Sequence, residues 1–197
     1  RLINIVERET QRINTLIESF LNFSRPPKPH PTLFSLNRLI TDLSLIKSQR
    51  VINRLQGEVE VFADADQVRQ ILWNLFNNAW EAESEEVEVS ARLIQQTLGR
   101  EEWEIMIEDQ GIGFSDSLGD LEELFRPFYT EKESGTGIGL SLCRALTELQ
   151  GGSLEAQRRK GGGAIFVLTL PMKESELEVI TTMESTLTDN ISNGRDR

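Results

Sequence analysis

The sequence predicts an α/β domain preceded by a separate amphipathic helix, and three observations predict it. The apolar residues Leu2, Val6, Ile13, Leu16, Phe20 and Phe23 step by fours and threes, broken only at Glu9, and Ile5, Ile17 and Leu21 widen the stripe. That is the heptad pattern of a helix packed against other helices. Arg25-Pro-Pro-Lys-Pro-His-Pro31 then holds four of the six prolines and cannot continue a helix. Beyond it, helical periodicity and period-two alternation succeed one another through a single span, the mixture expected of α/β architecture.

Composition narrows the function classes. The 197 residues carry 21 Lys+Arg against 32 Asp+Glu, a net charge of −11. Such an acidic balance argues against a nucleic-acid partner, which demands clustered Lys and Arg. One cysteine excludes a disulfide framework and one histidine excludes a multi-histidine metal site. No run approaches the roughly eighteen apolar residues of a membrane span, and no signal-peptide pattern opens the chain. The expectation is a soluble chain from a reducing compartment. It starts at Arg1 already inside a helical pattern, as an excised fragment would. His30 lies between two prolines, where nothing orients it for chemistry, so it reads as solvated linker.

The elements follow in order. Ser35-Leu36-Asn37 caps a helix to about Ser48, with Leu36, Leu39, Ile40, Leu43 and Ile46 on one side. Val59 to Phe62 alternates like a strand. Asp64 to Glu81 is the strongest helix, its buried face made by Val68, Ile71, Leu72, Leu75, Phe76 and Ala79. Val87 to Ile94 and Trp103 to Ile107 form a hairpin turning near Gly99-Arg100. Leu140 to Leu149 is a helix ended by Gly151-Gly152, and Ser153 to Ala156 with Ala164 to Leu170 form a closing hairpin around Gly161-Gly162-Gly163. Pro171 stops the fold. The expected organisation is therefore a first helix over 1–24, a linker over 25–34, a domain over 35–171 and an acidic, flexible tail over 172–197.

Three clusters carry chemistry. Asn74 and Asn78 lie one turn apart on the same helix edge. They either cap a neighbouring loop or offer carbonyl oxygens to a hard cation such as Mg²⁺ beside phosphate. Asp109-Gln-Gly111-Ile-Gly113 follows a strand. It is either an ordinary glycine turn or a carboxylate beside close-approaching backbone, suited to an exocyclic amine such as that of adenine. Gly135-Thr136-Gly137-Ile-Gly139-Leu140 opens a helix, where exposed N–H groups and the helix dipole favour phosphate. Its Gly-x-Gly-x-Gly spacing and loop-like approach exclude the dinucleotide fingerprint. Between the second and third clusters, Phe125 and Phe128 read as anchors for one end of a lid, with Lys132 within reach of a phosphate.

In this order, Asn74/Asn78, Asp109-x-Gly-x-Gly, the Phe125/Phe128 segment and Gly135-x-Gly-x-Gly resemble the N, G1, F and G2 boxes of sensor histidine kinases, over about Asp64 to Pro171. The helix ending in Asn22-Phe-Ser-Arg-Pro26 resembles the second helix of that family's dimerisation hairpin. The resemblance implies a two-layer sandwich of the GHKL (Bergerat) type, a mixed β-sheet covered on one face by helices, with ATP and Mg²⁺ as cofactors. It assigns the adenine amine to Asp109, the base pocket to Gly111 and Gly113, and Mg²⁺ to Asn78 with Asn74 beside it. The lid falls to Phe125 and Phe128, and the phosphates to Lys132 and to Gly135, Thr136, Gly137, Gly139 and Leu140. It implies a response-regulator receiver domain as partner, a homodimer through the hairpin, no nucleic acid and no membrane contact by this chain. The implied location is the cytoplasm, including the cytoplasmic part of a membrane-anchored sensor.

Related ATPases that activate water place a Glu where this chain has Asn74, which cannot act as a base at neutral pH. Departures from the pattern are also plain. No His-Glu/Asp acceptor site exists, so the chain is expected to bind ATP without phosphorylating itself. Gln150-Gly-Gly replaces the His-Gly-Gly of many relatives, and Trp80-Glu81 is nearer to nitrogen-regulation-type kinases. A related GHKL ATPase or serine kinase, or a nucleotide-binding regulatory module, are the alternatives.

Overall fold

The computed structural model describes residues 10, 21, 24–46, 50–95, 101–132 and 135–172. Most of the expected first helix, the 96–100 turn and the tail after 172 lie outside the described residues. In chain order the elements are β1 (Thr32–Ser35), α1 (Leu36–Ser44), β2 (Arg50–Asn53), β3 (Glu60–Ala63), α2 (Ala65–Glu81), β4 (Glu86–Gln95) and β5 (Glu101–Asp109). A 3-10 turn at Leu121–Phe125, α3 (Gly139–Leu149), β6 (Ser153–Arg158) and β7 (Ala164–Pro171) complete the domain.

Five strands form one sheet in the order β2-β4-β5-β7-β6, and β1 and β3 form a separate two-stranded ribbon. The large sheet is mixed, because β2 runs parallel to β4 while every other pair is antiparallel. Its register explains its two faces. Val89 pairs with Ile107, Ile107 with Phe166, and Ile105 with Leu168, which in turn pairs with Leu154. All of these are buried, so the middle of one pleated face is apolar. The residues between them, including Glu88, Arg92, Glu104 and Glu108, point to the opposite, polar face, where Glu104 is bonded to Arg92.

The helices cover the apolar face. Leu36, Leu39, Ile40 and Leu43 of α1, Val68, Ile71, Leu72, Leu75 and Phe76 of α2, and Leu142 and Leu146 of α3 merge with it into one core. Local chemistry sets the helix starts. Ser35 Oγ accepts from Arg38 N at 3.2 Å, and Asp64 Oδ1 accepts from the N–H groups of Asp66 and Gln67 at 3.0 and 3.1 Å.

Three expectations need correction. α1 ends at Ser44 rather than near Ser48, and Ile46, expected on its buried side, is exposed. β1 occupies the end of the span expected as linker, recruited by antiparallel pairing with β3. β2 was not expected at all and joins the sheet only through β4.

The proline segment docks on the start of α2. Gln67 Nε2 donates to Pro27 O at 2.9 Å and His30 N donates to Asp64 Oδ2 at 2.8 Å. Asp64 N in turn donates to Gln150 Oε1 at 2.6 Å. Burial alone would raise the Asp64 pKa, but the N–H groups of His30, Gln67 and Asp66 outweigh it and hold the carboxyl below its ordinary value.

Candidate functional site

The site is a cavity of about 370 Å³ between α2, the start of α3, the ends of β5 and β7, and the segment after the 3-10 turn. A wider-open hollow over Ser35, Asn37, Arg38, Thr41 and Glu58 brings together none of the expected chemistry.

Asp109 ends β5 and is 4% exposed, yet it lines the cavity. Its Oδ1 accepts from Gly111 N at 2.9 Å and Ala164 N at 3.2 Å. One carboxylate oxygen is thereby consumed in fixing the side chain, leaving the other as an acceptor for a ligand. The close approach of β7 to this point requires glycine: a Cβ at Gly163, where φ is +94°, would stand 2.1 Å from Asp109 O. Gly113 and Phe114 line the wall, and Phe114 meets Phe166 edge-to-face with centroids 6.0 Å apart. Arg158 holds the loop that carries Phe114, donating to the carbonyls of Phe114, Ser115 and Leu118 at 2.8, 2.8 and 2.7 Å.

The other end of the cavity is polar. Asn74, Asn78 and Glu81 line it from α2, and Lys132, Gly135, Thr136, Gly137, Gly139 and Leu140 from the facing segment. Lys132 Nζ donates to Glu81 Oε2 at 2.7 Å and lies 3.4 Å from Asn78 Oδ1. α3 starts at Gly139 after an N-cap, Ile138, that makes no side-chain cap bond, it has no acid in its first turn, and Gly139 and Leu140 line the cavity, so this helix start is of the kind that takes an anion. Gly137 (φ +67°) accepts from Phe128 N at 2.9 Å, a contact so close that a Cβ there would meet the Phe128 backbone at 2.4 Å. Asn74 Nδ2 contacts Cys143 Sγ at 3.6 Å. Burial pushes that thiol up to about 12, so it stays protonated.

Most sequence-predicted site residues thus converge on one cavity, and three do not line it. Gly111 packs beneath, where a Cβ would meet Ala82 O at 2.3 Å. Phe125 is buried outside the cavity under the Arg144 guanidinium, 3.6 Å from the ring centroid, while Arg144 also grips Glu122 through two hydrogen bonds. Those bonds lower the Glu122 pKa. Phe128 is 62% exposed and sits at a reversal of the backbone, with φ +67°. Sequence reasoning missed Glu81, Phe114 and Phe166 as lining groups. Glu81 lies three residues past Asn78 on the same edge, and Phe166 follows Ala164 at strand period, so each carried a usable signal.

The chain matches a family model described as histidine kinase-, DNA gyrase B-, and HSP90-like ATPase over residues 63–174. The signal transduction histidine-protein kinase AtoS of Escherichia coli (strain K12) is 33% identical over 178 residues, which span 86% of this chain and 29% of that protein. Sensor histidine kinase ZraS of Klebsiella oxytoca is 28% identical over 180 residues, 87% of this chain and 38% of its own length. The chain therefore spans about a third of these curated relatives. Among solved structures, the nucleotide-free catalytic domain of histidine kinase ThkA superposes with a TM-score of 0.61 at 27% identity, covering 72% of this chain and 95% of that one. Full-length ShkA in complex with AMPPNP shares the fold, with a TM-score of 0.68 at 21% identity over 86% of this chain and 38% of that one.

Proposed function

The chain belongs to the family of histidine kinase-, DNA gyrase B-, and HSP90-like ATPases, and from that premise we propose that it is the ATP-binding catalytic part of a two-component sensor histidine kinase. The observation that carries the reading is Asp109, a buried carboxylate with one oxygen fixed by backbone and its other side on a cavity whose far end is an uncapped helix start.

In this reading Asp109 accepts from the adenine amine, and Gly113, Phe114 and Phe166 flank the base. Asn78 offers its carbonyl oxygen to Mg²⁺ with Asn74 beside it. Lys132, Thr136 and the backbone of Gly135, Gly137, Gly139 and Leu140 meet the phosphates. The hard-donor amide and the cationic Lys132 already converge at this end, which is the donor chemistry a Mg-triphosphate needs. When bound, Mg²⁺ neutralises phosphate charge and orients the chain for in-line transfer. The protein contributes positioning and electrostatics, and no group at Asn74 activates water, which favours transfer to a side chain over hydrolysis.

The acceptor is a histidine on a dimerisation helix, since the only histidine of this chain, His30, is exposed linker docked through its backbone. The phosphoryl group then passes to a response-regulator receiver domain, with the kinase working in the cytoplasm as a homodimer through its helical hairpin. Among the described residues no helix is long and apolar enough to cross a membrane. The test mixes the chain with an acceptor-helix fragment and labelled ATP. Acid-labile label on the fragment, absent with Asp109→Asn, is the expected result; steady phosphate release with no label on the acceptor overturns the kinase reading.

A further inference from the structure

One ion pair spans the phosphate end of the cavity, joining the last turn of α2 to the segment that faces it. Lys132 Nζ lies 2.7 Å from Glu81 Oε2 and 3.4 Å from Asn78 Oδ1. Asn78 and Glu81 are three residues apart and share a helix edge. The ammonium is thus a resident cation held between an amide oxygen and a carboxylate oxygen, the donor pair that a hard divalent cation takes when phosphate oxygens and water complete its shell.

Helix stability does not account for Glu81. It is the last residue of α2, where the helix dipole disfavours a negative charge, and α2 has no base in that turn to offset it. Its carboxylate instead reaches out of the helix to Lys132. The pair is accessible, with side-chain exposures of 60% for Glu81 and 38% for Lys132, so it is the kind that breaks at small cost.

We propose that Glu81 is a positioning residue of the cation site, holding Lys132 in place of the metal until nucleotide binds. On binding, the two groups exchange partners: the Glu81 carboxylate turns to the hydrated cation beside Asn78, and the Lys132 ammonium is released to the phosphates. Were the exchange not made, the Glu81 charge would face incoming phosphate and repel it. Asn78 and Glu81 offer two protein oxygens, and phosphate oxygens and water would supply the rest of a hard cation's shell. This inference rests on the nucleotide-binding reading above.

The experiment is calorimetry on the full chain with ATP, in saturating Mg²⁺ and in chelator, with adenosine as the phosphate-free control. Glu81→Gln is expected to bind ATP about two- to fivefold tighter in chelator, the value of one exposed ion pair. In Mg²⁺ it binds more weakly than wild type, so the gain in affinity conferred by Mg²⁺ shrinks roughly five- to tenfold, the size of one net hydrogen bond, as expected for a contact made through the cation's water. Lys132→Met is expected to weaken ATP binding in chelator while keeping the Mg²⁺ gain. Adenosine binds all three proteins alike, and Mg²⁺ alone binds none. A Mg²⁺ gain in Glu81→Gln within twofold of wild type, with adenosine binding intact, overturns this inference alone. Loss of adenosine binding in Glu81→Gln assigns the residue a merely structural role and also overturns it. A wild-type chain that binds neither adenosine nor ATP overturns both this inference and the reading beneath it.

Discussion

Replacing Asp109 with Asn changes one oxygen to an amide nitrogen in a side chain that is 4% exposed. The retained carbonyl oxygen can still accept from Gly111 N and Ala164 N, at 2.9 and 3.2 Å in the native site, so the junction of β5 and β7 survives. What changes is the group on the cavity. A charged acceptor is worth about 1.5–3 kcal/mol to a donor amine, and a buried donor set against another donor costs about 1–3 kcal/mol more. The sum, about 2.5–6 kcal/mol, is a loss of roughly two to four orders of magnitude in ATP affinity. Calorimetry measures the affinity, and thermal melting, expected to shift little, shows that the fold is kept. Asp109→Ala is the control: it strips both backbone N–H groups of their acceptor at about 1–3 kcal/mol each and destabilises the domain outright. If Asp109→Asn binds ATP within threefold of wild type while Asp109→Ala melts early, the carboxylate is only a structural clamp and the base-recognition argument fails.

Three further outcomes are expected. Gly163→Ala places a Cβ 2.1 Å from Asp109 O at a φ of +94°, so denaturant melts should show a loss of roughly 2–4 kcal/mol. Arg144→Met removes the Glu122 pair and the guanidinium over Phe125, costing about 1–2 kcal/mol by the same melts while leaving Asp109 untouched. Asp64 has its folded pKa lowered from 3.8, so its capping contribution is fully present above that value and is lost as pH falls through the folded pKa. Melting temperature followed downward from pH 5 should therefore fall less steeply below 3.8 in Asp64→Asn than in wild type.

How far the sequence foretold this molecule depends on whether a feature was dictated locally. α2 and α3 were legible because each buries an apolar stripe at helical period and starts at a definable point, Asp64 or the glycine run ending at Gly139. β4 and β5 alternate over ten and nine residues, and β6 and β7 flank the glycine run that marks their hairpin. β1 and β2 have four residues each and exist only because β3 and β4 lie beside them, a long-range pairing with no local signature. The same division runs through the site. Asp109, Gly113 and the Gly135 to Gly139 run were legible because a strand end and a helix start demand particular residue types there. That Phe128 lies off the cavity was not legible, because the chain leaves the 3-10 turn at Arg126 and reverses at Phe128, a left-handed residue with no local signature. Arg158, which secures the Phe114 loop through three carbonyls, sits on β6 more than forty positions from the farther of its partners and had no signal at all.

The two ends of the cavity are built on different principles, and the difference bears on the chemistry. The Asp109 end is tied to backbone: the carboxylate is locked by two N–H groups, Gly163 closes on Asp109 O, and the Arg158 guanidinium grips three carbonyls. Such an arrangement holds the carboxylate more firmly than a lone side chain would be held, the preorganisation that discrimination of a flat ligand edge requires. The Lys132 end rests on long side chains, Lys132 and Glu81, whose mutual contact is accessible and inexpensive to exchange. Asn74 completes the contrast, its amide engaged with a Cys143 thiol that burial keeps protonated. Neither member of that contact can take a proton from water at neutral pH, so this wall of the cavity binds without activating. A firmly held Asp109 end, a yielding Lys132 end and an amide rather than a carboxylate at Asn74 together suit the proposed site, which would deliver a phosphoryl group to another protein's side chain.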